Sequence, residues 1–228
     1  MGNGCGLPMV AIENTPDTPA HTAETAYTRP IVLFAMLGTA LLVVASLVLA
    51  GASGSGWKVA ADMVSRFALL LFVAAMTVEP LARLLPLAVV QAAGRERHSL
   101  ILAFICATGA SVACVAAPAL ILGESWPIPA AAYCFLTAII LVVMLFSAHP
   151  ATIRFLGEPS WRALQRIAVA YFWIMFVLTD ADRLIGPHHP DSWPGFALLL
   201  LTAALLLRFA DAFVAHWRVG QAVVEKAA

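Results

Sequence analysis

Ionisable residues inside apolar stretches are the residues of this sequence that could do chemistry. Glu79 and Arg83 lie four residues apart in "AAMTVEPLARLLP", a spacing that places them on one face of a helix. Burying a charge in a membrane is costly, so Glu79 is a candidate for contact with a proton or a cofactor. A local Glu79–Arg83 ion pair near the membrane surface explains the same spacing, and we favour this interpretation.

Histidine is the second residue type of interest, because pairs of buried histidines hold b-type haem in helix bundles. Only two of the six histidines, His98 and His149, border apolar segments, at a face where they could share one haem or metal ion. His188 and His189 are adjacent in "GPHHPDSW" and could bind a metal at the other surface. An interfacial position without any ligand is the simpler interpretation for all four.

Charged residues also lie near the ends of two later apolar segments. We interpret Asp180, Asp182 and Arg183 as a solvated helix end, with the lining of an outer vestibule as the alternative. Arg208 and Asp211 are three residues apart and can pair or extend towards the membrane surface. We assign these two residues no role.

Six apolar segments must position these residues. The 228-residue chain is 62% hydrophobic and 11% charged, whereas about a quarter of the residues of a soluble domain are charged. The sequence therefore predicts an all-α integral membrane protein, a six-transmembrane-helix bundle at residues 30–217 with a flexible tail at 1–29 and a short tail at 218–228. Each segment has about the 20 residues that a bilayer requires; they are 31–50, 63–85, 99–121, 128–148, 163–184 and 194–215.

The distribution of lysine and arginine predicts the orientation of these segments. One side carries ten of them and the other carries three: Arg29, Arg83, Arg95, Arg97, Arg154, Arg162, Arg166, Arg208, Arg218 and Lys226 against Lys58, Arg66 and Arg183. Both termini are thus expected in the cytoplasm, and the protein in a bacterial inner membrane. The formal net charge is zero, which gives no electrostatic case for binding nucleic acid. The four cysteines form no CxxC pair, so we expect them to be small buried apolar residues.

Three stretches carry a resemblance to a known family. They are "RFALLLFVAAMTVEPLARLLP", "GRERHSLILAFICATGASVAC" and "MLFSAHPATIRFLGEPSWRALQRIAVAYF". The third is similar to a Leu-Gly turn followed by Trp-x-x-Leu-His-Arg, with Leu156, Gly157, Trp161, Leu164 and Arg166 in those places. In these features the chain resembles the ferric-reductase-like transmembrane domain family. That family includes the haem-binding membrane subunit of the bacterial periplasmic methionine sulfoxide reductase system.

The departures from the family pattern concern the haem ligands. Gln165 occupies the position of the histidine in Trp-x-x-Leu-His-Arg. Leu178 and Thr179 lie where the second histidine of this helix is expected. On the third helix the ligand position falls near Gly109 or Ala110. None of these side chains ligates iron strongly. The resemblance therefore implies the membrane form of the family without its usual axial ligands.

Two functions follow from this combination. In the first, the protein binds no haem and is a non-catalytic component of a redox-associated complex with another membrane or redox protein. The small residues of "CATGASVACVAAPA" would let a partner helix approach closely, although they equally suit packing within the bundle. In the second, the protein transfers electrons through haem b on His98 and His149, or through a quinone against Gln165, Trp161 and Trp173.

A transporter is a weaker alternative, because few charged residues converge at mid-membrane. The polar residues expected inside the membrane are Glu79, Arg83 and Arg166. Whether the protein is an enzyme stays open; if it is one, it is an oxidoreductase membrane subunit.

Overall fold

The described residues form six long α-helices, which follow one another along the chain in a computed structural model of the protein. The structure describes residues 20–85, 91, 94, 96–147, 152, 155, 157–185 and 192–227, and their side chains except those of 20–29, 158, 215, 216 and 218–227. The helices are α1 (Ala20–Ala50), α2 (Gly54–Leu84), α3 (Arg97–Leu122), α4 (Ile128–Ser147), α5 (Glu158–Ile185) and α6 (Trp193–Ala227).

Each of the six helices is long and apolar enough to cross a membrane, which confirms the predicted fold class. Large apolar side chains face outward; Phe34 is 74% exposed and Leu49 is 87% exposed. Such a surface suits contact with lipid, since water would penalise so many exposed apolar groups. The protein is therefore a multi-pass helical membrane protein.

Helix α2 departs from its predicted bounds, because it begins at Gly54 rather than at residue 63. The Ser53 hydroxyl accepts a hydrogen bond from the Gly56 amide at 3.4 Å and caps the helix. The first turns of α2 thus carry Lys58 and Asp62, which hydropathy alone had excluded from the span. Helix α1 begins at Ala20 and α6 ends at Ala227, and the predicted division into tails and a transmembrane domain stays a prediction.

Successive spans alternate in direction, so α1 begins and α6 ends on the same side of the bundle. We call this side the inner face, since the charge count assigns it to the cytoplasm, and the opposite side the outer face. That assignment stays a prediction.

Two kinds of contact hold the bundle together. Helices α2 and α3 pack closely, with Ala60, Ala103 and Ala107 all completely buried, and α1 packs against both. These buried small residues of α3 thus serve packing within the bundle, and Cys114 is buried with them.

Helix α5 packs directly against α4 and α6 and reaches α2 and α3 through large side chains. Phe72 of α2 and Phe104 of α3 meet Phe172 and Phe176 of α5, with ring centroids 4.9 to 6.4 Å apart. These rings span a cleft between the α2–α3 pair and α5.

Candidate functional site

A cavity of about 720 Å³ lies at the inner face, in the cleft between the α2–α3 pair and α5. We call it the inner cavity. Its deep wall is apolar and includes Phe72, Phe104 and Phe172. Its rim is charged, and the charged side chains come from α2, α3, α5 and α6: Glu79, Arg83, Arg97, Arg162, Arg166, Arg208 and Asp211.

Several of the residues singled out in the sequence line this cavity. Glu79, Arg83, Gln165 and Arg166 all do, as does Trp161. Their convergence follows from the antiparallel course of the helices, which brings the end of α2 beside the start of α5.

Two predicted residues lie away from the described cavity lining, and three lie outside the described residues. His98 is exposed near the start of α3 and is not among the described residues that line the inner cavity. His149, like His188 and His189, lies outside the described residues. Trp173 also lies away from the cavity lining, and its indole nitrogen donates to the Leu201 carbonyl at 3.5 Å.

An ionic network crosses the rim of the inner cavity. Glu79 and Arg83 form the predicted pair along α2. The second oxygen of Glu79 is 2.5 Å from Arg97 Nη1 of α3, and Arg83 Nη1 is 3.2 Å from Asp211 Oδ2 of α6. The Arg83 side chain is 56% exposed, so solvent screening keeps the contribution of this network to stability small. Its effect is to fix the relative positions of α2, α3 and α6.

Arg208 is held by the backbone of α2. Its Nε donates to the Met76 carbonyl at 3.4 Å. This carbonyl lacks its usual helical donor, because Pro80, four residues on, has no N–H. No role was predicted for Arg208 and Asp211, yet both line the cavity, and Asp211 forms a salt bridge with Arg83 of α2.

The rim carries excess positive charge. Five guanidinium groups and two carboxylates line the inner cavity among the described residues, which leaves three positive charges. Sequence reasoning missed Arg97, Arg162, Arg208 and Asp211 as site residues. A signal existed for Arg162, since Arg162, Gln165, Arg166 and Val169 recur at the three- and four-residue spacing of one helix face.

A second cavity of about 730 Å³, the outer cavity, lies in the same cleft at the outer face. Asp62 Oδ2 of α2 is 2.9 Å from Arg66 Nη2 of the same helix. The other oxygen of Asp62 pairs with Arg183 of α5. Asp182 and Arg183 line this cavity, as the vestibule alternative proposed. Asp180 is only 3% exposed, so the solvated helix end is wrong for this residue, because neighbouring helices cover it.

The described residues do not fit the bis-histidine haem that members of the ferric-reductase-like family carry. The described lining of the inner cavity contains neither histidine nor cysteine, and its sulfur atoms are those of Met76 and Met144. Leu178 is 59% exposed on the outside of the bundle, and a Cβ atom added at Gly109 would meet no atom within 4 Å. No group of three His, Cys, Asp or Glu residues in the described chain is placed to hold a metal ion.

No family model, curated protein or solved structure matches this chain. The resemblance to the ferric-reductase-like family therefore stays a prediction. The fold and the site define a class, that of all-α multi-pass membrane proteins with a basic cavity at one face.

Proposed function

We propose that this protein binds a small amphiphile, with an anionic head and an apolar body, in the inner cavity. The observation that carries this proposal is the convergence of five guanidinium groups above an apolar wall. Arginine binds phosphate and carboxylate oxygens through paired, charge-assisted hydrogen bonds. The phenylalanine rings below the rim would contact the apolar body of the ligand.

The depth of the cavity suits a ligand that comes from the bilayer. Asp62 and Glu79 mark the outer and inner ionic networks, and 17 residues of α2 separate them. This distance is about 26 Å at the rise of an α-helix, which is close to the thickness of about 30 Å of the hydrocarbon core. The arginine rim thus lies at the level of the lipid head groups.

A quinone is the second candidate ligand, and the position of Gln165 and Trp161 in the cavity wall favours it. The wall that they form with Arg166 is the segment that carries the family resemblance. Under this alternative the protein is an electron-transferring subunit of ferric-reductase-like type in a bacterial inner membrane, and its partner is another membrane or redox protein. A quinone needs hydrogen-bond donors at its oxygens and no axial ligand.

Binding of a fluorescent phosphatidic acid to the purified protein tests the proposal. We expect this lipid to bind more tightly than a phosphatidylcholine with the same chains. Arg166→Glu should weaken its binding about tenfold or more, since a hydrogen bond to a charged group contributes about 1.5–3 kcal/mol. The matched charge reversal Lys58→Glu, in the outer cavity, should leave the affinity unchanged. Equal binding of both lipids, or an unaltered affinity in Arg166→Glu, would overturn the proposal.

Further titrations separate the sources of the ligand. Displacement of the lipid by inorganic phosphate would show that the head group alone is recognised. Tighter binding of a short-chain quinone than of phosphatidic acid would replace the first candidate with the second. An absorbance spectrum of the purified protein, oxidised and then dithionite-reduced, tests for haem directly, and a sharp b-type spectrum would overturn both.

A further inference from the structure

A third space lies at mid-membrane between the two large cavities. This pocket, of about 30 Å³, is lined by residues of α2, α3, α4 and α5. We call it the hydroxyl pocket, because seven of its lining side chains carry a hydroxyl group: Ser65, Thr108, Ser111, Tyr133, Thr137, Tyr171 and Thr179. Such a concentration of polar groups deep in a membrane bundle needs a reason, since each unsatisfied group is costly there.

Thr108 shows that the pocket is built for a polar occupant. Its side chain is buried, with 5% exposure, and its Oγ1 has no hydrogen-bond partner among the described residues. Beside it, the Thr137 and Tyr171 hydroxyls lie 2.8 Å apart and offer further donors and acceptors. A buried water needs about 10–15 Å³ and two to four polar partners. The hydroxyl pocket meets both requirements.

The hydroxyl pocket adjoins the outer cavity. Ser65, Ser111, Tyr133, Met175 and Thr179 line both spaces. A water or a proton in the outer cavity therefore faces the same side chains as one at mid-membrane.

On the inner side, a single layer of rings separates the hydroxyl pocket from the inner cavity. Phe172 lines both spaces. Its ring meets Phe104 edge-on, with centroids 4.9 Å apart, and Phe72 with centroids 6.4 Å apart. The barrier between the two halves of the cleft is therefore about one side chain thick.

From this arrangement we propose that the outer cavity, the hydroxyl pocket and the inner cavity form one path for water and protons, closed by the Phe172 ring. The small hydroxyl pocket excludes any ligand large enough to fill the inner cavity, so the path carries only water and protons. Rotation of one ring would connect the outer face with the arginine rim. This inference stands on the hydroxyl pocket and does not depend on the identity of the ligand.

Proton flux into proteoliposomes tests the path. The full chain is reconstituted around the pH-sensitive dye pyranine, and a potassium gradient with valinomycin drives protons inward. Phe172→Ala should raise the flux several-fold above that of the unaltered protein. Phe135→Ala, the same change at a ring of α4 that is 70% exposed to the surroundings of the bundle, should not. No rise in a monodisperse Phe172→Ala protein, or an equal rise in Phe135→Ala, would overturn the proposal.

Two further variants sharpen this test. Thr108→Val keeps the shape of the side chain but removes the hydroxyl, so in the Phe172→Ala background it should return the flux towards the original level. Unchanged flux in this double variant counts against the path. Phe172→Leu replaces Phe172→Ala if the latter does not fold, and a folded Phe172→Leu protein without any increase in flux also overturns the proposal.

Discussion

Helix α2 makes two different contacts in this bundle. Against α3 it packs through small side chains, among them the fully buried Ala60 of α2 and Ala107 of α3, and through the Phe72–Phe104 ring pair. It meets α5 through Phe72. Small side chains let two backbones approach closely, which is the main source of helix association in lipid. Large rings hold helices apart and leave space beside them. All three cavities lie on the side of the rings, so one helix supplies both the rigid scaffold and the wall of the cleft.

The two ends of the cleft differ in charge although their volumes are similar. The inner cavity carries five basic and two acidic residues among its described lining. The outer cavity carries two basic and three acidic ones: Lys58, Arg183, Asp62, Glu124 and Asp182. An anionic ligand is therefore attracted to one end only, which gives the cleft a direction.

Enlarging a residue of the close contact should have the largest effect on stability. Ala107→Leu inserts three carbons where no free space exists, and we expect the free energy of unfolding to fall by about 3 kcal/mol. The free energy of unfolding is measured by titrating a denaturing detergent into the protein in a mild detergent. Ala113→Leu, at an exposed position of the same helix, is the matched control and should be nearly neutral. Equal effects of the two changes would show that α2 and α3 do not pack as closely as described.

Removing a ring from the cleft should have a smaller effect. Phe104→Ala deletes the contacts with Phe72 and Phe172, whose centroids lie 5.3 and 4.9 Å away. Aromatic pairs contribute about 0.5–1.5 kcal/mol each beyond the burial of their surface, and burial gains little in lipid because lipid tails are equally apolar. We therefore expect a loss of about 2 kcal/mol in the same unfolding measurement. Phe135→Ala controls for the loss of an exposed ring. A cost above that of Ala107→Leu would reverse the proposed roles of the two contacts.

The smallest effect is expected in the hydroxyl pocket. Thr137→Val removes the hydrogen bond between Thr137 and Tyr171. Side-chain hydrogen bonds between membrane helices contribute about 0.6 kcal/mol on average, and a double-mutant cycle with Tyr171→Phe should yield a coupling energy of this size. A coupling near zero would mean that each hydroxyl finds another partner, and would remove this bond from the contacts that join α4 to α5.

Structural features that depend on residues close together in the sequence could be predicted. Hydropathy located the six spans because backbone groups in lipid must be paired within a helix. The Glu79–Arg83 pair was predictable because it lies within one turn of one helix. The start of α2 was missed because the Ser53 cap lies before a charged stretch that hydropathy assigns to water.

Contacts between helices could not be predicted in this way. Arg97 and Asp211 join Glu79 and Arg83 only because α3 and α6 pack beside α2, and no spacing in the sequence reveals such adjacency. Asp180 lies near a helix end, which suggests solvent, but the neighbouring helices bury it. The charge of the inner cavity, on which the proposed function depends, is a property of four helices together.

The hydrogen bond from Arg208 to the Met76 carbonyl has a consequence at acidic pH. A carboxylate that positions an arginine also cancels its charge, and it releases the arginine when it takes up a proton. A main-chain carbonyl does neither within the range of pH that a cell experiences. Pro80, by leaving this carbonyl without a helical donor, gives Arg208 an acceptor that takes up no proton, so this contact is the same in acidic and neutral solution.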